Sequence, residues 1–505
     1  MSTRPATFGL LKQSGYEILP VKDEMRKNII RKLRERETLF PGVIGFDETV
    51  VPQLVNAVLA RHDILLLGLR GQAKTRIARL LPELLDEYVP IVRGSEVNDN
   101  PFAPVSRFAR DILQEAGDDA PIEWIHRSER YGEKLATPDV TIADLIGDID
   151  PIKAAHQRLS FSHEAAIHFG IVPRTNRGIF VLNELPDLQP RIQVGLFNIM
   201  QERDIQIRGF NVRIPLDVVI VFTANPQDYT NRGAIITPLK DRIDSQILTH
   251  YPKTLEFGME ITRNEAWTVR ETDGTVIMPA YIEQIVEMVA IQARKSEFVD
   301  QQSGVSARMT ITTMEALVSN AERRAIVAGE GVVVPRIIDL QHALSGVTGK
   351  VELVFEGEQE GPTKVARALV GKAIREVFAM YFPNPLERPR RGQEKTAVDP
   401  YAPVLKWFSQ GNVIELEDKM PFEVYYRELA KVPALAELTA RHLKVDASNT
   451  YEMATAMEFV LDGLHQNSKI AKDEVEMNVS YRDMIGAMFS GGPKHGFNED
   501  DDEEL

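Results

Sequence analysis

Residues 63–79, DILLLGLRGQAKTRIAR, constrain the fold more than any other stretch of the chain. The apolar run Ile64 to Leu67 reads as a buried strand, and from Thr75 the apolar residues Ile77, Leu80, Leu81 and Leu84 fall at helical spacing. Gly68, Gly71, Lys74 and Thr75 lie at the turn between them. Strand, glycine turn, Lys-Thr and helix make the layout of a phosphate-binding loop. Its glycines let backbone N–H groups close around a polyphosphate, and the helix N-terminus adds partial positive charge. Lys74 is expected on the β- and γ-phosphates and the Thr75 hydroxyl on Mg²⁺. One residue departs from the motif GxxxxGK[ST], since Ala73 stands where glycine is expected. An alanine is harmless there at negative φ and costs about 1–2 kcal/mol at positive φ.

A nucleotide-hydrolysing loop needs a neighbouring strand that ends in a carboxylate and a residue that orients the attacking water. The apolar run GIFVL at 178–182, followed by Asn183 and Glu184, is the candidate. Glu184 is expected as general base, and Asn183 stands on the metal side where an aspartate is expected. A third strand, VVIVFTAN at 218–225, ends in Asn225, which is expected to face the γ-phosphate or the water. A fourth spans 245–248 after PLKDRID. Short alternating runs at 204–208 and 212–215 flank Gly209, Phe210 and Asn211 and predict a β-hairpin. Apolar strands alternating with helices, one over about 191–201, indicate a parallel sheet covered on both faces, with ligands at the carboxyl ends of its strands. Upstream, the spacing predicts a basic helix over about 23–36, with Met25, Ile29, Ile30 and Leu33 on its apolar side, and a second helix over about 48–60. The polar stretch 95–125 suggests one short helix.

Length organises the remainder. At 505 residues, about three units are expected. They are an N-terminal arm (1–40), an αβα nucleotide-binding domain (41–252) and a helical domain (253–382). A Pro-rich linker (383–403), a helical extension (404–490) and an acidic tail (491–505) follow. A net charge of -15 disfavours a protein that coats nucleic acid or binds anionic lipid. The chain has no cysteine, which excludes disulfides and thiolate metal sites and fits a cytoplasmic location. No segment approaches the roughly 20 apolar residues of a membrane span.

These residues resemble AAA+ ATPases, in the branch of MoxR proteins and the ATPase (I) subunit of magnesium chelatase. GLRGQAKT (Gly68, Leu69, Arg70, Gly71, Gln72, Ala73, Lys74, Thr75, followed by Arg76) looks like Walker A, FVLNE like Walker B and TANP like sensor 1. PLKDRI looks like the arginine-finger segment, with Arg242, and GVSAR, opening a helix, like sensor 2, with Arg308. Ile44 and Gly45 fall where the adenine-side segment lies. The hairpin at 204–215 is similar to the pre-sensor-1 insertion, and 147–170 takes the place of the helix-2 insert. The resemblance covers about 40–353. It implies an α/β fold: an AAA+ P-loop core with a parallel sheet between helices, a helical lid and a helical C-terminal extension. It further implies ATP and Mg²⁺ as cofactors and a homo-oligomeric ring, usually a hexamer, in which Arg242 reaches the neighbour's ATP. A separate partner bearing a von Willebrand A domain is also implied.

Other readings have sequence features of their own. Zinc hydrolysis would use His156, His163 and His168, whose spacings of seven and five do not stack on one helical face. An enhancer-binding transcription activator would need a GAFTGA-like loop and a basic helix-turn-helix, and neither is visible in the sequence. A nucleotide-gated scaffold with little turnover is suggested by Asn183. Trp124, Trp267 and Trp407 read as packing residues, and Arg388, Arg390 and Arg391 as solvated linker charges. The 404–505 extension is where client or partner specificity is expected.

Overall fold

The computed structural model describes residues 4–150, 152, 164–207, 213–226, 234–270, 275–386, 399–446, 448–475 and 478–484. The chain divides into two compact units, Met1–Pro252 and Lys253–Leu505.

The first unit is built on a five-stranded parallel sheet. Its strands are β1 (Ile64–Leu67), β2 (Tyr131–Leu135), β3 (Gly178–Asn183), β4 (Val218–Ala224) and β5 (Ser245–Leu248), in the order β5-β1-β4-β3-β2. The three inner strands are buried along their whole length because they are apolar on both faces. Side chains alternate between the two faces. Ile64, Leu66, Ile179, Val181, Val219 and Val221 pack with helices α1 (Val21–Glu35), α2 (Val50–Leu59) and α3 (Lys74–Leu80). Leu65, Phe180, Leu182, Ile220 and Phe222 pack on the opposite side with the 136–216 segments. β1 is not next to β3. β4 lies between them, which brings its end between the glycine loop and Glu184.

Several local expectations are corrected. α1 does not bury Leu33, which is 44% exposed; Glu24 and Asn28 are buried beside Met25 and Ile29 instead. Asn28 donates to the Leu84 carbonyl and Asp86, and Glu24 is held by an ion pair. Arg130, 1% exposed, places both terminal nitrogens 2.7 Å from the Glu24 carboxylate and donates Nε to the Arg177 carbonyl. The 95–125 stretch contains a helix at Arg107–Ala116, and strand Ile122–His126 pairs antiparallel with Tyr88–Val92. The 191–201 helix is two short ones, Pro190–Gly195 and Phe197–Gln201. Asp204–Gln206 and Arg213–Pro215 pair antiparallel as a hairpin requires, while its turn and half of the 147–170 insert lie outside the described residues. So do His156, His163, the three linker arginines and the acidic tail.

The second unit is mainly helical. Its longer helices are α4 (Ala280–Ala293), α5 (Arg308–Ala328), α6 (Pro362–Tyr381) and α7 (Thr450–Gln466). The 404–490 segment is not helical alone: β6 (Ile414–Glu417), β7 (Ala471–Val475) and β8 (Asn478–Arg482) form an antiparallel sheet in the order β6-β8-β7. One hydrophobic core runs from Ala266 to Tyr481, with Phe378 and Phe382 of the 253–382 segment against Phe459 of α7. The helical lid and the extension therefore share a single interior. Among the described residues no helix is long and apolar enough to cross a membrane.

Candidate nucleotide site

The strands bring the expected residues to one edge of the sheet. β1 and β4 end level, with Leu67 opposite Ala224, and Gly68 N donates to the Ala224 carbonyl at 3.1 Å. β3 and β4 are in register through Leu182 and Phe222, which sets Asn183 beside Thr223. The ends of β1, β4 and β3 thus lie within two strand spacings, about 10 Å. By the two-residue alternation, Asn183, Thr223 and Asn225 continue the face that packs under α3, the helix opened by Lys74 and Thr75.

The loop is tightly held. Ala73 adopts φ 55°, ψ 13°, in the left-handed region, so it carries the strain that a glycine would avoid. Gly71 is also left-handed at φ 73°. A Cβ at Gly68 would collide with Thr249 Oγ1 and Gln72 Oε1, so only glycine lets the chain leave β1 there. Gln72 is buried and accepts from Thr249 Oγ1 at 2.8 Å, and Tyr251 Oη donates to the Arg70 carbonyl at 2.9 Å. Lys74 is 7% exposed, and its Nζ donates to the carbonyls of Gly68 and, at 3.0 Å, Leu69. The Ile44 and Gly45 segment borders the loop. A Cβ at Gly42 would meet the Arg76 guanidinium, and Phe46 and Thr49 contact His250 just past β5.

Across the sheet runs a hydrogen-bonded row. Thr223 Oγ1 donates to Asn183 Oδ1 and accepts the Glu184 backbone N–H. Asn183 Nδ2 donates to Glu133 Oε1 at 2.7 Å. Glu133 also receives Arg79 Nε at 2.9 Å, Arg79 Nη2 at 3.1 Å and Tyr131 Oη at 3.0 Å. Burial pushes the Glu133 carboxyl up, but Arg79, Tyr131 and Asn183 outweigh it and hold it below its ordinary range. Glu184 adopts φ 55°, ψ 50°, a strained left-handed conformation of the kind that clusters at functional sites. Asn225 is buried, and its Oδ1 has no partner among the described residues. A buried loop lysine, a turned glutamate and an orphaned amide at one sheet edge fit a triphosphate and its metal.

One sequence candidate of this unit lies elsewhere. Arg242 precedes β5, at the amino end of the sheet, with its guanidinium 4.6 Å from the Phe197 ring centroid and Nη1 on the Pro238 carbonyl at 2.6 Å. Arg308 opens α5 in the second unit. Sequence reasoning missed β2 and Glu133, because YGEKL is a polar edge strand without an apolar run.

A family model described as the Sigma-54 interaction domain matches residues 155–245, which hold β3, β4, Glu184, Asn225 and Arg242. With the glycine loop and the strand order β5-β1-β4-β3-β2, the family match decides the assignment. The chain carries an AAA+ ATPase domain. Among solved structures, a protein assigned as an ATPase from Cytophaga hutchinsonii is 17% identical, covers 72% of this chain and 97% of its own, and has a TM-score of 0.29. A complex of subunits BchI and BchD of magnesium chelatase is 18% identical, with coverages of 63% and 98% and a TM-score of 0.31. RuvB from Thermotoga maritima is 12% identical, with coverages of 68% and 81% and a TM-score of 0.34. No curated protein matches the chain. Assignment of the AAA+ domain rests on its loop, its strand order and the matched stretch rather than on these overall likenesses.

Proposed function

We propose that this AAA+ ATPase couples ATP binding and hydrolysis, in a homo-oligomeric ring, to remodelling or metal-insertion work on a partner protein, in the manner of MoxR and chelatase I subunits. The observation that carries the reading is the level ending of three strands beneath α3, which gathers Lys74, Glu184 and Asn225. In this reading the backbone of 68–73 and Lys74 hold the phosphates, and Thr75 with Asn183 hold Mg²⁺. Bound Mg²⁺ would neutralise charge developing on the transferred phosphoryl group. Glu184 takes the proton from the attacking water, and Asn225 orients that water. Ile44 and Gly45 border the base, and Arg308 serves the γ-phosphate as sensor 2.

Arg242 lies at the sheet edge opposite its own loop, which suits action on a neighbouring protomer. Such a guanidinium raises phosphoryl-transfer rates by about 10³–10⁵-fold. A complementation assay tests the ring. K74A and R242A proteins are each expected to be inactive alone and to regain part of the wild-type ATPase rate when mixed. Failure of mixtures to recover activity would remove the shared site. A von Willebrand A-domain partner and cytoplasmic location belong to the same reading.

A further inference from the structure

We propose that Glu133 is a positioning residue that supplies, from the edge strand β2, the carboxylate that Asn183 lacks at the end of β3. Asn183 stands where a metal-side carboxylate is expected, and its amide has no charge to offer a cation. Its orientation is fixed from both sides: Oδ1 accepts from Thr223 at 3.0 Å, and Nδ2 donates to Glu133 Oε1 at 2.7 Å. The negative charge thus sits one hydrogen bond away, on the same face of the sheet, and polarises the Asn183 carbonyl oxygen through its amide.

The pairing differs from an incidental surface contact. Asn183 is 7% exposed, so its bond to an ionised carboxylate is made largely away from water, where charge-assisted bonds are strong. The Arg79 pair alone, with Arg79 63% and Glu133 21% exposed, would contribute little. Arg79 belongs to α3, so Glu133 ties Asn183 to the helix that begins with Lys74 and Thr75. One amide and one carboxylate share this bond. Exchanging them, in E133Q/N183D, keeps the bond and the net charge and moves the carboxylate to the strand end.

This inference rests on the Mg²⁺–ATP reading above and is tested by nucleotide binding rather than turnover. The readout is the ratio of ATP Kd in EDTA to ATP Kd in Mg²⁺, measured by calorimetry on the full chain. Wild type is expected to bind ATP at least about tenfold more tightly with Mg²⁺, and E133Q to lose about tenfold or more of that ratio, the usual effect of removing an outer-shell partner. E133Q/N183D should return to within about threefold of wild type. N183D alone should not improve on wild type, because its new carboxylate faces Glu133. An E133Q protein with a lower Tm and an unchanged ratio would show a merely structural role and overturn the inference. If E133Q does not fold, the exchange variant decides, and loss of its Mg²⁺ dependence overturns the proposal. Wild type that binds no ATP would instead sink the nucleotide reading itself, and this inference with it.

Discussion

Thr223 Oγ1 donates to Asn183 Oδ1 at 3.0 Å and accepts the Glu184 backbone N–H at 3.1 Å. One hydroxyl on β4 therefore fixes both residues that end β3. Replacing it with the isosteric T223V removes both bonds without opening a cavity. ATPase kcat is expected to fall about tenfold to a hundredfold, in line with other outer-shell losses, and the tightening of ATP binding by Mg²⁺ to weaken with it. Steady-state kinetics and nucleotide binding on the same protein check this. An unchanged kcat would mean that Glu184 is positioned by other contacts.

Ala73 answers a question that the sequence left open. Its φ of 55° places it in the costly branch, so A73G should relieve strain. The expected gain in stability of the first unit is about 1 kcal/mol, read as a raised Tm, with ATP binding no weaker than wild type. A lower Tm would show that the loop prefers the alanine.

Glu24 and Arg130 are both nearly inaccessible, and they join α1 to the start of β2. Removing one partner of a buried pair leaves the other charge unsatisfied and costs about 3–5 kcal/mol. R130M should therefore lower the denaturation midpoint sharply, and E24Q/R130M should recover part of the loss. Denaturant titration of the three proteins measures this. A single variant as stable as wild type would contradict the pairing.

Glu458 is fully buried in the second unit, where it accepts N–H bonds from Ile337 and Ile338 and the Tyr425 hydroxyl. Burial pushes its carboxyl up to about 7. Its folded form therefore binds more protons than the unfolded chain between about pH 4.5 and 7, and stability falls as pH rises through that window. The contribution is up to about 3 kcal/mol. E458Q should be less stable at every pH, because its NH₂ meets a backbone donor, but should lack this slope. Identical slopes in the two proteins would count against the buried acid.

The sequence exposed what apolar periodicity can carry. β1, β3 and β4 are continuous apolar runs because both faces of each are covered, and the glycine loop follows directly from the chain. The polar groups at their ends, Asn183, Glu184 and Asn225, were legible for the same reason. β2 was not, since Tyr131 and Glu133 hydrogen-bond to each other and YGEKL carries no continuous apolar run. α1 misled because Glu24 is buried by a partner 106 residues away, and no local pattern encodes that. The alternation IELE at 414–417 marks a strand, yet its partner strand, Asn478–Arg482, lies about sixty residues later. Long-range pairing also explains why the core joining 253–382 to 404–484 was invisible in one dimension.

The most direct measurement compares ATP binding and ATP turnover in wild type and E184Q. If Lys74 holds the phosphates while Glu184 activates water at the neighbouring strand end, E184Q should bind ATP with near wild-type Kd and lose hydrolysis by about 10²–10⁴-fold. An E184Q protein that hydrolyses ATP at the wild-type rate would contradict the account.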